Sequence, residues 1–218
     1  LKKLGEGIQP VIFNGVQRHV EGYPLGGYWD EKYTYNDANG DGFIGQSEVQ
    51  IGETAYLGTP FATTDISFTP TVGLFNNALV FRGLLNYKGG QKLYNNTGAW
   101  RNGNSNTQEL NDPNASLAGQ ARAVASKFFG TNAGYIEDAS FWRLREISLT
   151  YNAPQKFVSN IGFSRVSLTL SGQNLGIWTD YSGLDPEISS TGQSNFATEE
   201  FLSQPPTRSW KIRLNLSF

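Results

Sequence analysis

The sequence predicts an all-β fold, and within that class an antiparallel segment of a transmembrane β-barrel with long outer loops. Three observations carry the expectation. First, residues 208–218 alternate without a break: Trp210, Ile212, Leu214, Leu216 and Phe218 share one face, and Ser209, Lys211, Arg213, Asn215 and Ser217 the other. A strand of about 9–11 residues with one apolar and one polar face suits a tilted barrel strand crossing a bilayer. Second, six strand candidates are joined by connections that alternate long, short, long, short, long, as in up-and-down barrels with long outer loops and short inner turns. Third, 25 glycines, 13% aromatic and only 17% charged residues in 218 suit a strand-rich, turn-rich chain. The alternation by itself serves a soluble β-sandwich equally well; the loop asymmetry favours the barrel.

Composition excludes several classes. No run of about 18 apolar residues is present, so no transmembrane helix is expected. A mean hydropathy of −0.40 is compatible with a barrel, because half of each strand faces water. The net charge is −2, with scattered lysines and arginines, so no nucleic-acid partner is implied. Without cysteine there are no disulfides or thiolate metal sites. The chain has no methionine and opens on Leu1-Lys2-Lys3-Leu4, so Leu1 is expected not to be the natural start, and the chain to be the C-terminal part of something longer.

The first strand candidate is 11–20, running into the aromatic, Gly-rich 22–29, where Tyr and Trp suit a membrane interface. His19, the single histidine, is expected to be structural. Residues 30–60 read as a long polar connection containing Asp37-Ala-Asn39-Gly-Asp41-Gly42-Phe43-Ile-Gly-Gln-Ser-Glu48, which fits the twelve-residue calcium-loop pattern at each defined position. Asp37, Asn39 and Asp41 would offer side-chain oxygens, Phe43 its carbonyl and Glu48 a bidentate carboxylate, while Gly42 permits the sharp turn. The flanks do not read as helical and no second loop pairs with it, so the alternatives are one weak Ca²⁺ site and an Asn/Asp/Gly turn.

Residues 62–75 and 78–88 read as a hairpin turning at Asn76-Asn77, with Pro70 marking a bulge or local edge. Residues 89–137 are a long excursion with one helix, Ala115 to Phe129, begun by Asp112-Pro113 and ended by Gly130. The next strand is 139–152, whose apolar phase switches near Arg145–Glu146 and so predicts a bulge there. A short connection containing Pro154 leads to strand 164–178, and a long polar loop, 179–207, leads to the terminal strand. Six strands cannot close a barrel, for which about eight is the small natural limit, so the chain is expected to be a fragment or to need partner strands.

Several segments together resemble the C-terminal end of SusC/RagA-type TonB-dependent transporters. They are Glu21-Gly-Tyr-Pro-Leu-Gly26, Asp37 to Ile44, Ala139-Ser-Phe-Trp-Arg-Leu-Arg-Glu-Ile-Ser-Leu-Thr-Tyr151, Ser171-Gly-Gln-Asn-Leu175, Tyr181-Ser-Gly-Leu-Asp-Pro-Glu187 and Pro206 to Phe218. The resemblance implies a plugged barrel of about 22 strands in the bacterial outer membrane, of which this chain would supply roughly the last six, the plug and earlier strands lying outside it. It implies import of oligosaccharides, peptides or similar nutrients beneath a SusD-like surface lipoprotein. It also implies energy from the TonB complex, engaged by a region before the barrel. The strand Trp210, Ile212, Leu214, Leu216, Phe218 resembles the signal read by the barrel-assembly machinery, and its apolar face would meet outer-membrane lipid.

Arg165, Lys211 and Arg213 are expected on the wet face, since charge facing lipid is costly. Trp100, Trp178 and Tyr181 are candidate sugar-stacking residues, with interface-belt aromatics the alternative reading. No catalytic residues are expected: one histidine, no cysteine and no G-x-S-x-G leave no triad, and Asp185 and Glu187 would point opposite ways in an extended segment. The alternative to the transporter is a secreted, calcium-stabilised, carbohydrate-binding β-sandwich.

Overall fold

A computed structural model describes residues 1–192 and 197–218; part of the 179–207 loop thus lies outside the described residues. The chain divides into two compact units. A loop unit takes Leu1–Thr63, Gly90–Ser140 and Asp180–Pro205, and a sheet unit takes Thr64–Gly89, Phe141–Thr179 and Pro206–Phe218.

In the loop unit, β1 (Val11–Phe13), β2 (Gln17–His19), β3 (Gly27–Tyr35) and β4 (Val49–Gly58) form an antiparallel meander. This corrects two expectations. The 11–29 candidate is not a strand of the large sheet, and 30–60 is a hairpin rather than a polar connection. The hairpin was hidden because neither β3 nor β4 separates apolar from polar residues cleanly: in β4, Val49, Ile51 and Leu57 share their phase with Glu53. Such a strand lacks the simple two-residue signal.

The sheet unit begins with β5 (Thr64–Phe68) and β6 (Thr71–Leu74), which both pair with β7 (Leu79–Gly89). They are one strand broken at Pro70, which has no N–H to give the ladder but whose carbonyl accepts from Gly83 N at 3.0 Å. Phe75, Asn76 and Asn77 all take positive φ (52°, 53° and 64°) to close the tight turn.

The excursion then returns to the loop unit through β8 (Lys92–Asn95), α1 (Asn96–Gly103), α2 (Gln108–Asn111), α3 (Leu117–Val124) with a π-turn over Ala125–Phe129, and β9 (Ile136–Asp138). Its predicted helix is present, and Gly130 ends it at φ +82°. Its start is corrected: Ser116, not Asp112, caps α3, accepting from Gly119 N at 3.2 Å, while Asp112 holds the preceding turn through Asn114 N at 2.8 Å. A serine directly before the helix reaches the free N–H groups that an aspartate four residues upstream does not.

The sheet resumes with β10 (Phe141–Asn152), followed by a short turn containing α4 (Gln155–Val158), then β11 (Arg165–Thr179). The two-residue β12 (Glu199–Glu200) pairs in parallel with β8 in the loop unit, and β13 (Ser209–Ser217) completes the sheet in the order β13-β11-β10-β7-β5, with β6 also on β7. The sheet therefore has five strands, the first broken into β5 and β6 at Pro70, where six were expected, because 11–29 belongs to the other sheet. The bulge between Leu144 and Glu146 is present against both neighbours.

Register turns the sheet into a two-faced lattice. One row runs Val72, Phe81, Leu149, Leu170, Ile212, and the next Leu74, Leu79, Tyr151, Leu168, Leu214. On the opposite face the rows are Thr71, Arg82, Ser148, Ser171, Lys211, and Thr150, Thr169, Arg213, with Arg165 beside Ser217. Arg165, Lys211 and Arg213 fall together on this polar face. The outer strands of the polar face are exposed, and the apolar face is exposed as well, with Ile212 at the edge 77% exposed. A β-sandwich would cover that face with a second sheet, so the sandwich alternative is set aside.

Candidate functional site

The sequence-predicted residues divide between two features, and a third was not foreseen. The first is the apolar lattice face, to which Trp210, Ile212, Leu214, Leu216 and Phe218 contribute five exposed side chains along one edge.

The second is the loop 37–48 at the tip of the β3–β4 hairpin. Asp37 accepts backbone N–H groups from Gly40 (2.8 Å) and Gly42 (3.0 Å), Asn39 Oδ1 accepts Asp41 N (3.0 Å), and Asp41 Oδ1 accepts Phe43 N (2.8 Å). Glu48 spans the loop, accepting Ala38 N at 3.1 Å and Gly45 N at 2.9 Å. Gly40 and Gly42 have φ of +71° and +81°, which only glycine adopts without strain. Gln120 of α3 clamps the loop by accepting Ile44 N (2.9 Å) and donating to the Gly42 carbonyl (3.1 Å). The hard oxygen donors suit Ca²⁺ in kind. In this arrangement they are spent on backbone N–H groups, and among the described residues no three acidic or histidine side chains converge as metal ligands.

The third feature is a polar cavity of about 280 Å³ inside the loop unit, lined among others by Asn95, Thr97, Arg101, Glu109, Arg122, Tyr135, Ser182 and Glu200. Asn95 caps α1, accepting Gly98 N at 2.8 Å, and donates to Glu137 and Ser182, each at 3.1 Å. Glu137 also accepts Ser182 N (2.8 Å) and the Ser182 hydroxyl (2.7 Å). Arg122 bridges Glu109 and Glu137 and lies 4.8 Å over the Tyr135 ring. Burial works against its charge, but Tyr135 and the two carboxylates outweigh it and hold the guanidinium protonated. Glu200 is fully buried, accepting the Thr97 hydroxyl at 2.6 Å and Leu184 N at 3.1 Å. Burial pushes the Tyr135 phenol up to about 12. The cavity offers hydrogen-bond donors and acceptors of both charge signs to a small polar solute. Sequence reasoning missed it: Thr97 and Glu200 are 103 residues apart, and neither lies in a recognisable motif.

The three candidate stacking aromatics are not brought together as one site. Trp100 is exposed on α1, 6.4 Å from Phe201. Trp178 is exposed near the end of β11, paired across the strands with Trp142. Tyr181 is a correction: it is buried in a small core with Leu93 and Ala139, so its ring is closed to a stacking sugar. His19 is structural as expected, its Nδ1 accepting Gly26 N at 3.0 Å and its ring 4.8 Å from Phe13. Asp185 is buried and accepts Glu187 N at 2.9 Å, capping its own turn.

No family model matches the chain. It is 28% identical over 193 residues to TonB-dependent receptor P3 of Formosa agariphila, covering 80% of this chain and 18% of that protein. It is likewise 28% identical over 199 residues to TonB-dependent receptor P26 of the same organism, covering 84% and 19%. The chain thus spans about a fifth of the length of the curated relatives it matches. Among solved structures, the RagAB peptide importer in its closed-closed state superposes on the whole chain with a TM-score of 0.69 at 18% identity, over 26% of that chain. The open-open state gives 0.66 at 19% identity, over 25%. At that identity the superposition speaks for the fold alone. In sequence the chain is similar to TonB-dependent receptors, and in fold it is similar to the RagAB peptide importer.

Proposed function

We propose that this chain forms part of the barrel wall and outer loops of an outer-membrane, TonB-dependent importer of peptides, oligosaccharides or similar nutrients. The observation that carries the reading is the lattice with its apolar face exposed, joined at one end by tight turns and at the other by long excursions. A sheet with an apolar face outward and polar rows on the other side suits lipid on one side and water on the other. The loop unit's polar cavity suits contact with polar cargo, and the outer loops would meet a SusD-like lipoprotein. Barrel closure and coupling to TonB need strands and segments beyond these residues.

Two experiments test it. An epitope placed at Asn104–Ser105 of the full-length protein should be reached by antibody on intact cells, and one at Asn76–Asn77 only after permeabilisation; equal access at both sites sinks the topology. Uptake of labelled oligopeptides or oligosaccharides should vanish on deletion of the gene and equally on loss of TonB, and pull-down should bring a surface lipoprotein with the protein. Uptake indifferent to both deletions sinks the transport role.

For the 37–48 loop we propose Ca²⁺ binding, supported by oxygen donors at the calcium-loop spacing, with affinity in the roughly 10⁻⁴–10⁻³ M range of extracellular modules. Calorimetric titration should show one site, lost in Asp37→Ala; no heat in the unsubstituted protein sinks the site.

A further inference from the structure

We propose that the cavity of the loop unit binds one small primary ammonium group, held by Glu109 and Tyr135 in front of the buried Glu200. The inference rests on the reading of this cavity as a contact for polar cargo and deepens it, because it names the chemical group that the cavity selects.

The charges around the cavity do not cancel. Arg122 is spent on Glu109 and Glu137, two carboxylates on one guanidinium. Glu200 accepts from the Thr97 hydroxyl (2.6 Å) and Leu184 N (3.1 Å), both neutral, and among the described residues no lysine or arginine pairs with it. A buried carboxylate without a counter-charge is costly, and away from water its field is weakly screened. Being fully buried, Glu200 acts on a solute through the cavity wall rather than by touching it. Gly183 brings it close: a Cβ there would lie 2.5 Å from Glu200 Oε2, so glycine lets the carboxylate approach the segment that lines the cavity. The unit as a whole favours a cation too. It carries more than twice as many acidic as basic side chains, and the sheet unit has the opposite excess.

The cavity also holds polar groups with nothing to bind. Tyr135 is only 2% exposed, and its buried hydroxyl has no hydrogen-bond partner. Glu109 uses Oε1 on Arg122, which leaves Oε2 as an acceptor. Arg122 Nε is a buried donor, likewise unpartnered. Buried polar groups are normally paired, so this set describes its missing partner. An ammonium brings three donors and no acceptor, which suits Glu109 Oε2 and the Tyr135 hydroxyl. An oxygen beside the ammonium would accept from Arg122 Nε. A peptide amino terminus, with its first carbonyl, and a 2-amino sugar, with its ring hydroxyls, share this pattern.

Two other occupants fit less well. A hard divalent cation takes about six to eight oxygens, and no three acidic or histidine side chains converge among the described residues. A neutral sugar finds no open aromatic face, because Arg122 lies 4.8 Å over the Tyr135 ring and Tyr181 is buried. The volume of about 280 Å³ is at the small end for ligand pockets and takes one head group rather than a chain.

The test is calorimetric titration of the full-length protein in detergent with glycylglycinamide, N-acetylglycylglycinamide, glucosamine and glucose. The expected result is one-site binding of glycylglycinamide, which assigns a peptide amino terminus, or of glucosamine, which assigns an amino sugar. The acetylated or neutral counterpart should bind about tenfold more weakly or worse, the loss expected for a charged hydrogen bond. Glu200→Gln should weaken binding by a similar factor. Tyr135→Phe should weaken it several-fold without lowering thermal stability, because it deletes a hydroxyl that bonds to nothing in the free protein; it decides the matter if Glu200→Gln fails to fold. Equal binding of the free and acetylated peptides together with equal binding of glucosamine and glucose overturns the proposal. So does silence from all four probes, or binding that neither substitution changes. TonB-dependent uptake with no probe bound removes this site and leaves the transporter; binding here without such uptake leaves the site and removes the cargo reading.

Discussion

The two units of this chain solve burial in opposite ways. The loop unit hides its apolar residues: Val16, Tyr28, Tyr94, Ala99, Tyr135 and Ile136 form one core, and Ile44, Val49, Ala121, Val124 and Ala125 another. Many of its buried polar groups are paired, as with Gln17, which donates to the Gly26 carbonyl (2.7 Å) and accepts Thr198 N (2.8 Å). The sheet unit exposes Leu149, Leu170, Ile212 and Leu214 while Ser148 and Ser167 are buried. The hydrophobic effect drives apolar groups away from water, so the first pattern suits water and the second suits the lipid contact proposed above. One chain carrying both is suited to a protein that stands in two solvents.

That contrast can be broken most forcefully from the loop unit. Tyr28 is fully buried, and its hydroxyl donates to the Thr198 carbonyl at 2.6 Å. Tyr28→Ala should cost about 3–5 kcal/mol, as large-to-small core changes do. The loop unit should become protease-sensitive, while the full-length protein keeps the heat-dependent gel mobility of a folded barrel. Loss of that mobility shift would mean that the two units do not fold separately.

The matching change in the sheet unit is Leu214→Arg. On a lipid face near the bilayer centre it should cost roughly 2–4 kcal/mol and lower the yield of inserted protein. The same charge already present next door at Arg213, on the other face, is tolerated. Equal yields for Leu214→Arg and the unsubstituted protein would remove lipid as the solvent of that face.

Alkali should sharpen the difference. Burial raises the phenol of Tyr135 to about 12 from its ordinary 10.0, and burial raises Tyr28 and Tyr94 as well. A folded pKa above the unfolded one contributes stability that is complete below about pH 10 and is lost as pH climbs through the folded value. The loop unit should therefore open between about pH 10 and 12, with its tyrosinate absorbance rising together with its protease sensitivity. Tyrosinate appearing without opening would contradict the buried phenols.

The smallest effect is expected at α3. Ser116→Ala removes the cap on Gly119 N and should cost about 1 kcal/mol, read as faster amide hydrogen exchange over 117–124 with the sheet unchanged.

Much of the sheet was legible because its signals are local. Alternation at a spacing of two placed β10, β11 and β13, Pro70 marked the break, Asn76-Asn77 the turn, and the phase switch at Arg145 the bulge. Side-chain period and turn chemistry belong to neighbouring residues and need no knowledge of the rest of the chain. The calcium-type loop was legible as a loop for the same reason. The β3–β4 hairpin was not, because both its faces are mixed. The burial of Tyr181 was not, because an aromatic beside a polar run looks the same in a core as on a surface.

The sequence by itself therefore determined which faces are apolar, where the turns fall and that the large sheet is two-faced, since each is written in residues a few positions apart. Only the tertiary structure decided that Val11–His19 belongs to a different sheet from Thr64–Phe68, and that Arg122 meets Glu109 and Glu137. It alone decided that Glu200 reaches Thr97 across 103 residues to build a polar cavity. Charged residues enter an interior only when partners are waiting, and which partners wait is set by how distant strands pair, which no local period encodes.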